Sequence, residues 1–242
     1  MKSTPDKGRL ANLQNGGVPS RLHAAVTCGL GGFVSGLIAV FSFSYLAPPH
    51  LEDHFFLVRV LFAIPGISLL LALIGCWMTM HGDVSLRPIS PRRAASAACL
   101  IGLNSFLSLE IAFAAGLVAA MLNRLPPDWK QTTPSADSYF FYALPLITGL
   151  IVGGLAAATI LANALHQFTG TWSRNGWVAF LSSSVAVVVA VLFIDPRFLL
   201  VLKLANQPGE KLIVTLGFLT IFILGNTLYG ASAGLWLAES HS

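Results

Sequence analysis

Charge is what this chain has least of. Of its 242 residues only 10% are Asp, Glu, Lys or Arg, against 55% hydrophobic. A soluble domain carries about 25% charged residues, so there is too little polar surface to clothe a soluble globule. Cysteine is scarce as well: Cys28, Cys76 and Cys99 are the only three, and all fall inside apolar stretches. An odd number with none in a polar loop excludes a disulfide framework. Each reads as a small packing residue. Motifs for nucleotide or hydrolytic chemistry are missing too: there is no P-loop, no G-x-G-x-x-G after a strand and no H-E-x-x-H. The excess of basic over acidic residues, 14 against 10, is small and sits mostly in loops and tails. That excludes a nucleic-acid footprint. No cofactor is expected. Arg outnumbers Lys nine to five in a chain rich in Ala, Leu and Gly, a composition suggesting a bacterial gene.

What is present is a series of long apolar runs. The central one is Ala94–Leu122, twenty-nine residues with one formal charge, Glu110. About 20 apolar residues suffice to cross a bilayer as a helix. Five further runs have comparable character: about 23–46, 55–80, 139–165, 177–194 and 212–237. The expected fold is therefore all-α, a polytopic membrane protein with a bundle of about six transmembrane helices. Three spans followed by three would place the two halves in inverted topology, a 3+3 arrangement. Residues 1–22 form a basic, mobile cytoplasmic tail, and 239–242 a short second one. Twenty-two mostly polar residues precede a run too long for a signal-peptide core, so span 1 reads as a retained anchor. Asp195-Pro196-Arg197 follows span 5, and 198–204 reads as an interfacial helix. Lys and Arg in the loops and tails total eight on the side of the N-terminus and five on the other. The positive-inside rule then places both termini in the cytoplasm, with the protein in a bacterial inner membrane.

The candidate sites follow from what is costly or unusual in lipid. A carboxylate at the middle of a span costs about 2.5–3.5 kcal/mol on insertion scales and is kept for a reason. Glu110 is thus the leading candidate for an ion- or proton-binding group. At 100° per residue it shares a bulky stripe with Leu103, Phe113 and Leu117, while Asn104, Ser108 and Ala112 fall on the opposite, small and partly polar face. Arg59, near the start of span 2, is its candidate partner. Asn104, Ser108 and Asn226 are candidate lining groups of a polar route. Gly32 with Gly36, Gly149 with Gly153, and Gly230 with Gly234 repeat at spacing four. This spacing lets helix backbones approach closely in membranes. Such seams could join spans, copies of the chain in a homo-oligomer, or other membrane subunits. His50, Asp53 and His54 are the densest set of metal-capable side chains, in the order H-x-x-D-H. The flanking Pro48-Pro49 makes this a turn rather than the helix such a motif requires. Gly230-Ala-Ser-Ala-Gly234 matches G-x-S-x-G, but inside an apolar helix, without the strand–turn–helix setting of a nucleophile elbow. No complete catalytic constellation can be assembled. The expectation is a transporter or channel, or its membrane subunit. The alternative is a non-catalytic scaffold, sensor or effector subunit of a larger membrane complex.

Overall fold

The computed structural model describes residues 21–46, 66–67, 69–71, 91–123, 139–194, 216 and 219–240. All regular structure among them is helical. Helix α1 is Arg21–Leu46, α2 is Pro91–Leu122, α3 is Tyr139–Thr169 and α4 is Arg174–Ile194. A π-helical turn, Thr220–Leu224, leads directly into α5, Gly225–Ser240. Four of these helical stretches are long and apolar enough to cross a membrane: Arg21–Phe41, Pro91–Leu122, Ile147–Thr169 and Thr220–Ser240. Most of span 2 lies outside the described residues, as do His50, Asp53, His54, Arg59 and the 198–204 stretch.

Several helices overrun the apolar stretches that announce them, because backbone hydrogen bonding stops at a cap, not at the hydrocarbon edge. α2 starts at Pro91, a residue suited to the first helical position because its missing N–H would be unpaired there anyway. α3 continues past Leu165 to Thr169 and is stopped by Gly170. This glycine has φ +72° and returns its N–H to the His166 carbonyl at 2.8 Å. Ser173 caps α4, its hydroxyl oxygen accepting from the Gly176 N–H at 2.8 Å.

Two antiparallel helix pairs, α1 with α5 and α2 with α3, form the closest contacts, and α4 bridges them by packing on both α3 and α5. Small residues allow both close approaches. In the first pair, a Cβ on Gly32 would overlap the Asn226 carbonyl, one on Gly230 the Cys28 carbonyl, and one on Gly234 the Ala24 carbonyl. In the second, a Cβ on Gly149 would lie 2.7 Å from the Ala112 carbonyl oxygen, and one on Gly153 2.5 Å from the Ala112 methyl. The described part of span 2 also touches α2, with Gly66 seated against the carbonyls of Ile101 and Gly102.

The start of α1, the start of α2, the end of α3, the start of α4 and the end of α5 gather at one end of the bundle. Arg21 lies 3.7 Å from Glu239. Ser173 and Asn175 donate to the same carboxylate, and Ser96 donates to Gln167 at 2.6 Å. The apolar core is concentrated toward this end. Trp236 is fully buried there, with Phe180, Leu161, Leu165 and Cys28 around it.

Candidate functional site

Apart from Ser35 of α1, whose buried hydroxyl has no hydrogen-bond partner among the described residues, the polar groups that the helices carry into the bundle fall in three places. The first is the α2–α3 seam. Its α2 face is Ala97, Ile101, Asn104, Ser108 and Ala112, of which Ala97, Ile101 and Asn104 are buried. The Ser108 hydroxyl is turned back on its own helix, donating to the Asn104 carbonyl at 2.7 Å. The side-chain oxygen of Asn104 is different: it is buried and has no hydrogen-bond partner among the described residues. A buried acceptor left unpaired costs about 1–3 kcal/mol, so it calls for an explanation such as strain, a chemical role or a bound water or ion.

Glu110 lies on the other side of α2, opposite Ser108 and Ala112 and so turned away from α3. It is half-buried, on a face that leaves Leu103, Phe113 and Leu117 exposed. The structure therefore does not bring Glu110 together with Asn104 and Ser108: helical rotation sets Glu110 about 120° from Asn104 and about 160° from Ser108 around α2.

The second place is the contact of α4 with α3 and α5, where hydroxyls meet in two pairs. Ser184 lies 2.9 Å from the Tyr229 hydroxyl and donates to the Gly154 carbonyl at 2.8 Å. Ser183 lies 2.9 Å from the Ser232 hydroxyl. Ser232, the central residue of G-x-S-x-G, also donates to the Leu228 carbonyl one turn back. The run Ser182–Ser184 is visible in the sequence, but nothing in the sequence says which helices it joins.

The third is the π turn. Its wider winding disturbs the regular ladder, and three side chains supply bonds to carbonyls around it. Thr220 donates to Leu216, Asn226 to Phe222 and Thr227 to Ile223, at 2.9, 2.8 and 2.6 Å. Asn226 thus spends its amide within its own helix. The π turn faces Gly36, whose Cβ would fall 2.6 Å from the Phe222 carbonyl oxygen. Segments of this kind are frequent at functional sites in membrane and soluble helices.

Among the described residues no group of three or more His, Cys, Asp or Glu is placed to hold a metal ion. Cys28 is buried against α5 while Cys99 is exposed on α2, so these two thiols do not share a site.

Long apolar helices with most of their polar groups turned into mutual seams mark a helical membrane protein. Compared with protein-family models, curated proteins and solved structures, the chain finds no significant match in any of the three.

Proposed function

We propose that the protein is a transporter or channel, or the membrane subunit of one, in which Glu110 binds the proton or cation that moves. The observation that carries this reading is the pattern of helix pairing. In a 3+3 inverted repeat, span 1 corresponds to span 4, and span 3 to span 6. That exchange turns the α1–α5 pair into the α3–α2 pair. Both are antiparallel, both close on glycines, and the glycines stand at matching depth: Gly32 is eleven residues past Arg21 and Gly149 ten past Tyr139. Inverted repeats are a building rule of secondary transporters, whose binding sites lie near the midplane at the repeat interface. The unpaired Asn104 oxygen and the π turn supply a free polar group and a helix discontinuity within such a frame. The end carrying Arg21, Arg92, Arg93 and Arg174 is then the cytoplasmic one.

The test is water access around α2. Single cysteines replace Leu107 and Ala114 on the Glu110 side, and Asn104 and Ser108 on the α3 side, in a background lacking Cys28, Cys76 and Cys99. A membrane-impermeant, water-soluble maleimide is the label. The expected result is labelling confined to one side at mid-depth, together with loss of ion flux in Glu110→Gln proteoliposomes. Silence at all four positions would mean a dry core and would return the protein to the scaffold reading.

A further inference from the structure

At the end of the bundle where the termini gather, α2 and α3 part and leave a cavity of about 400 Å³. Its walls are Arg92, Arg93, Ser96, His166, Gln167 and Gly170. The two formally charged side chains are both guanidinium groups. Among the described residues the ion pair is Arg21 with Glu239, and no described carboxylate neutralises Arg92 or Arg93. Of the remaining polar groups, the Gln167 amide is the donor left over. Ser96 donates to the Gln167 carbonyl oxygen at 2.6 Å, which leaves the amide N–H groups of Gln167 for another acceptor. His166 is held by its Nδ1, 3.0 Å from the Thr171 carbonyl oxygen, and by the edge of Trp172, with ring centroids 5.5 Å apart. Gly170 caps α3 in a left-handed conformation and adds no side chain, so the Arg93 guanidinium passes where a Cβ would come within 3.4 Å. The first turn of α2 adds the positive end of a helix dipole.

Two planar guanidinium forks, an amide donor and a helix start around one cavity match the oxygens of a phosphate group. The depth matches as well. Trp172, 57% exposed, and Trp177 stand at this level, where aromatic residues mark the headgroup layer. Basic pockets between membrane helices on that boundary take anionic headgroups. We propose that this cavity binds a phosphate ester, supplied by the headgroup of an anionic phospholipid. The proposal is independent of the transport reading: it uses neither Glu110 nor the helix seams.

The full chain, purified in an uncharged detergent, is titrated with phosphatidylglycerol, with phosphatidylcholine and with inorganic phosphate while its thermal midpoint is followed. Phosphatidylglycerol raises the midpoint and phosphatidylcholine does not. Arg92→Gln with Arg93→Gln weakens the apparent affinity at least about tenfold, since two charge-assisted contacts are lost. Both arginines are exposed, so the unliganded double variant keeps its own midpoint. Arg174→Gln, an exposed cation at the same end but outside the cavity, binds like the parent protein. If inorganic phosphate gives the same shift with the same loss in the double variant, the cavity is a phosphate site fed from solution. A shift that survives the double variant, an equal loss in Arg174→Gln, or no shift with either anion overturns the proposal.

Discussion

Glu239 ties three elements together with one carboxylate. It accepts from Ser173 and Asn175 at the start of α4 and faces Arg21 at the start of α1. The Ser173 hydroxyl first, then the Asn175 amide and then Arg21, hold this carboxyl below the ordinary glutamate range. Its side chain is 14% exposed, two residues past Leu237, where the apolar run 212–237 ends. The sign follows from the direction: a carboxyl more acidic in the folded chain stabilises it above the unfolded pKa of about 4.3, and that contribution drains away as pH falls through the folded value. Glu239→Gln should lower the unfolding free energy by about 1 kcal/mol at neutral pH. The variant and parent midpoints should converge in acid. A constant gap down to pH 3 would assign the effect to packing. In the sequence Glu239 is one acidic residue in a tail. The partners lie more than sixty residues away for Ser173 and Asn175, and at the opposite end of the chain for Arg21. Asn104 illustrates the converse: its place on a small, partly polar face follows from helical spacing, but the absence of a partner for its oxygen depends on what α3 presents there.

At the scale of the helix, glycine spacing announces close packing but not the partner. Gly32 and Gly230 look alike in sequence and turn out to face the same contact, α1 against α5. The consequence is unequal tolerance of a single methyl group. Gly32→Ala would drive its Cβ into the Asn226 carbonyl, a backbone atom that cannot swing away. Gly102→Ala meets nothing closer than the Ile67 side chain at 3.7 Å. Overpacking of this kind costs about 1–3 kcal/mol and at times more, so Gly32→Ala should lose about 3 kcal/mol in detergent unfolding while Gly102→Ala stays within about 0.5 kcal/mol. Equal behaviour of the two would mean that α1 and α5 do not meet at this register. Helix ends were displaced from the ends of the apolar runs: the runs stop at 165 and resume at 177, whereas α3 ends at Thr169 before Gly170 and α4 starts at Arg174 after the Ser173 cap. The π turn was not legible, because its winding depends on side-chain donors acting on carbonyls four residues back and on the glycine opposite.

For the molecule as a whole, the first and last spans close on each other within one chain. Gly32, Gly36, Gly230 and Gly234 all lie on the contact of α1 with the π turn and α5, although the same motifs could have joined two copies. A cross-link separates these cases. Ala231 carries its methyl 3.4 Å from where a Gly29 Cβ would lie, close to the mean separation of about 3.8 Å in disulfides. In a background without the native cysteines, Gly29→Cys with Ala231→Cys should oxidise to a monomer of altered electrophoretic mobility. A disulfide-linked dimer as the main product would place this seam between copies.

Apolar run length and the scarcity of charge decided by themselves that the chain is helical and made for a membrane, because each span must satisfy its own backbone where no water is available. The same local economy made Glu110 conspicuous. Tertiary structure alone decided which seams meet, that the Ser108 and Ala112 face of α2 packs on α3, and that Arg92 and Arg93 share a cavity with His166 and Gln167. Those outcomes rest on contacts between residues about 40 to 200 positions apart, and no local propensity or spacing carries information about them.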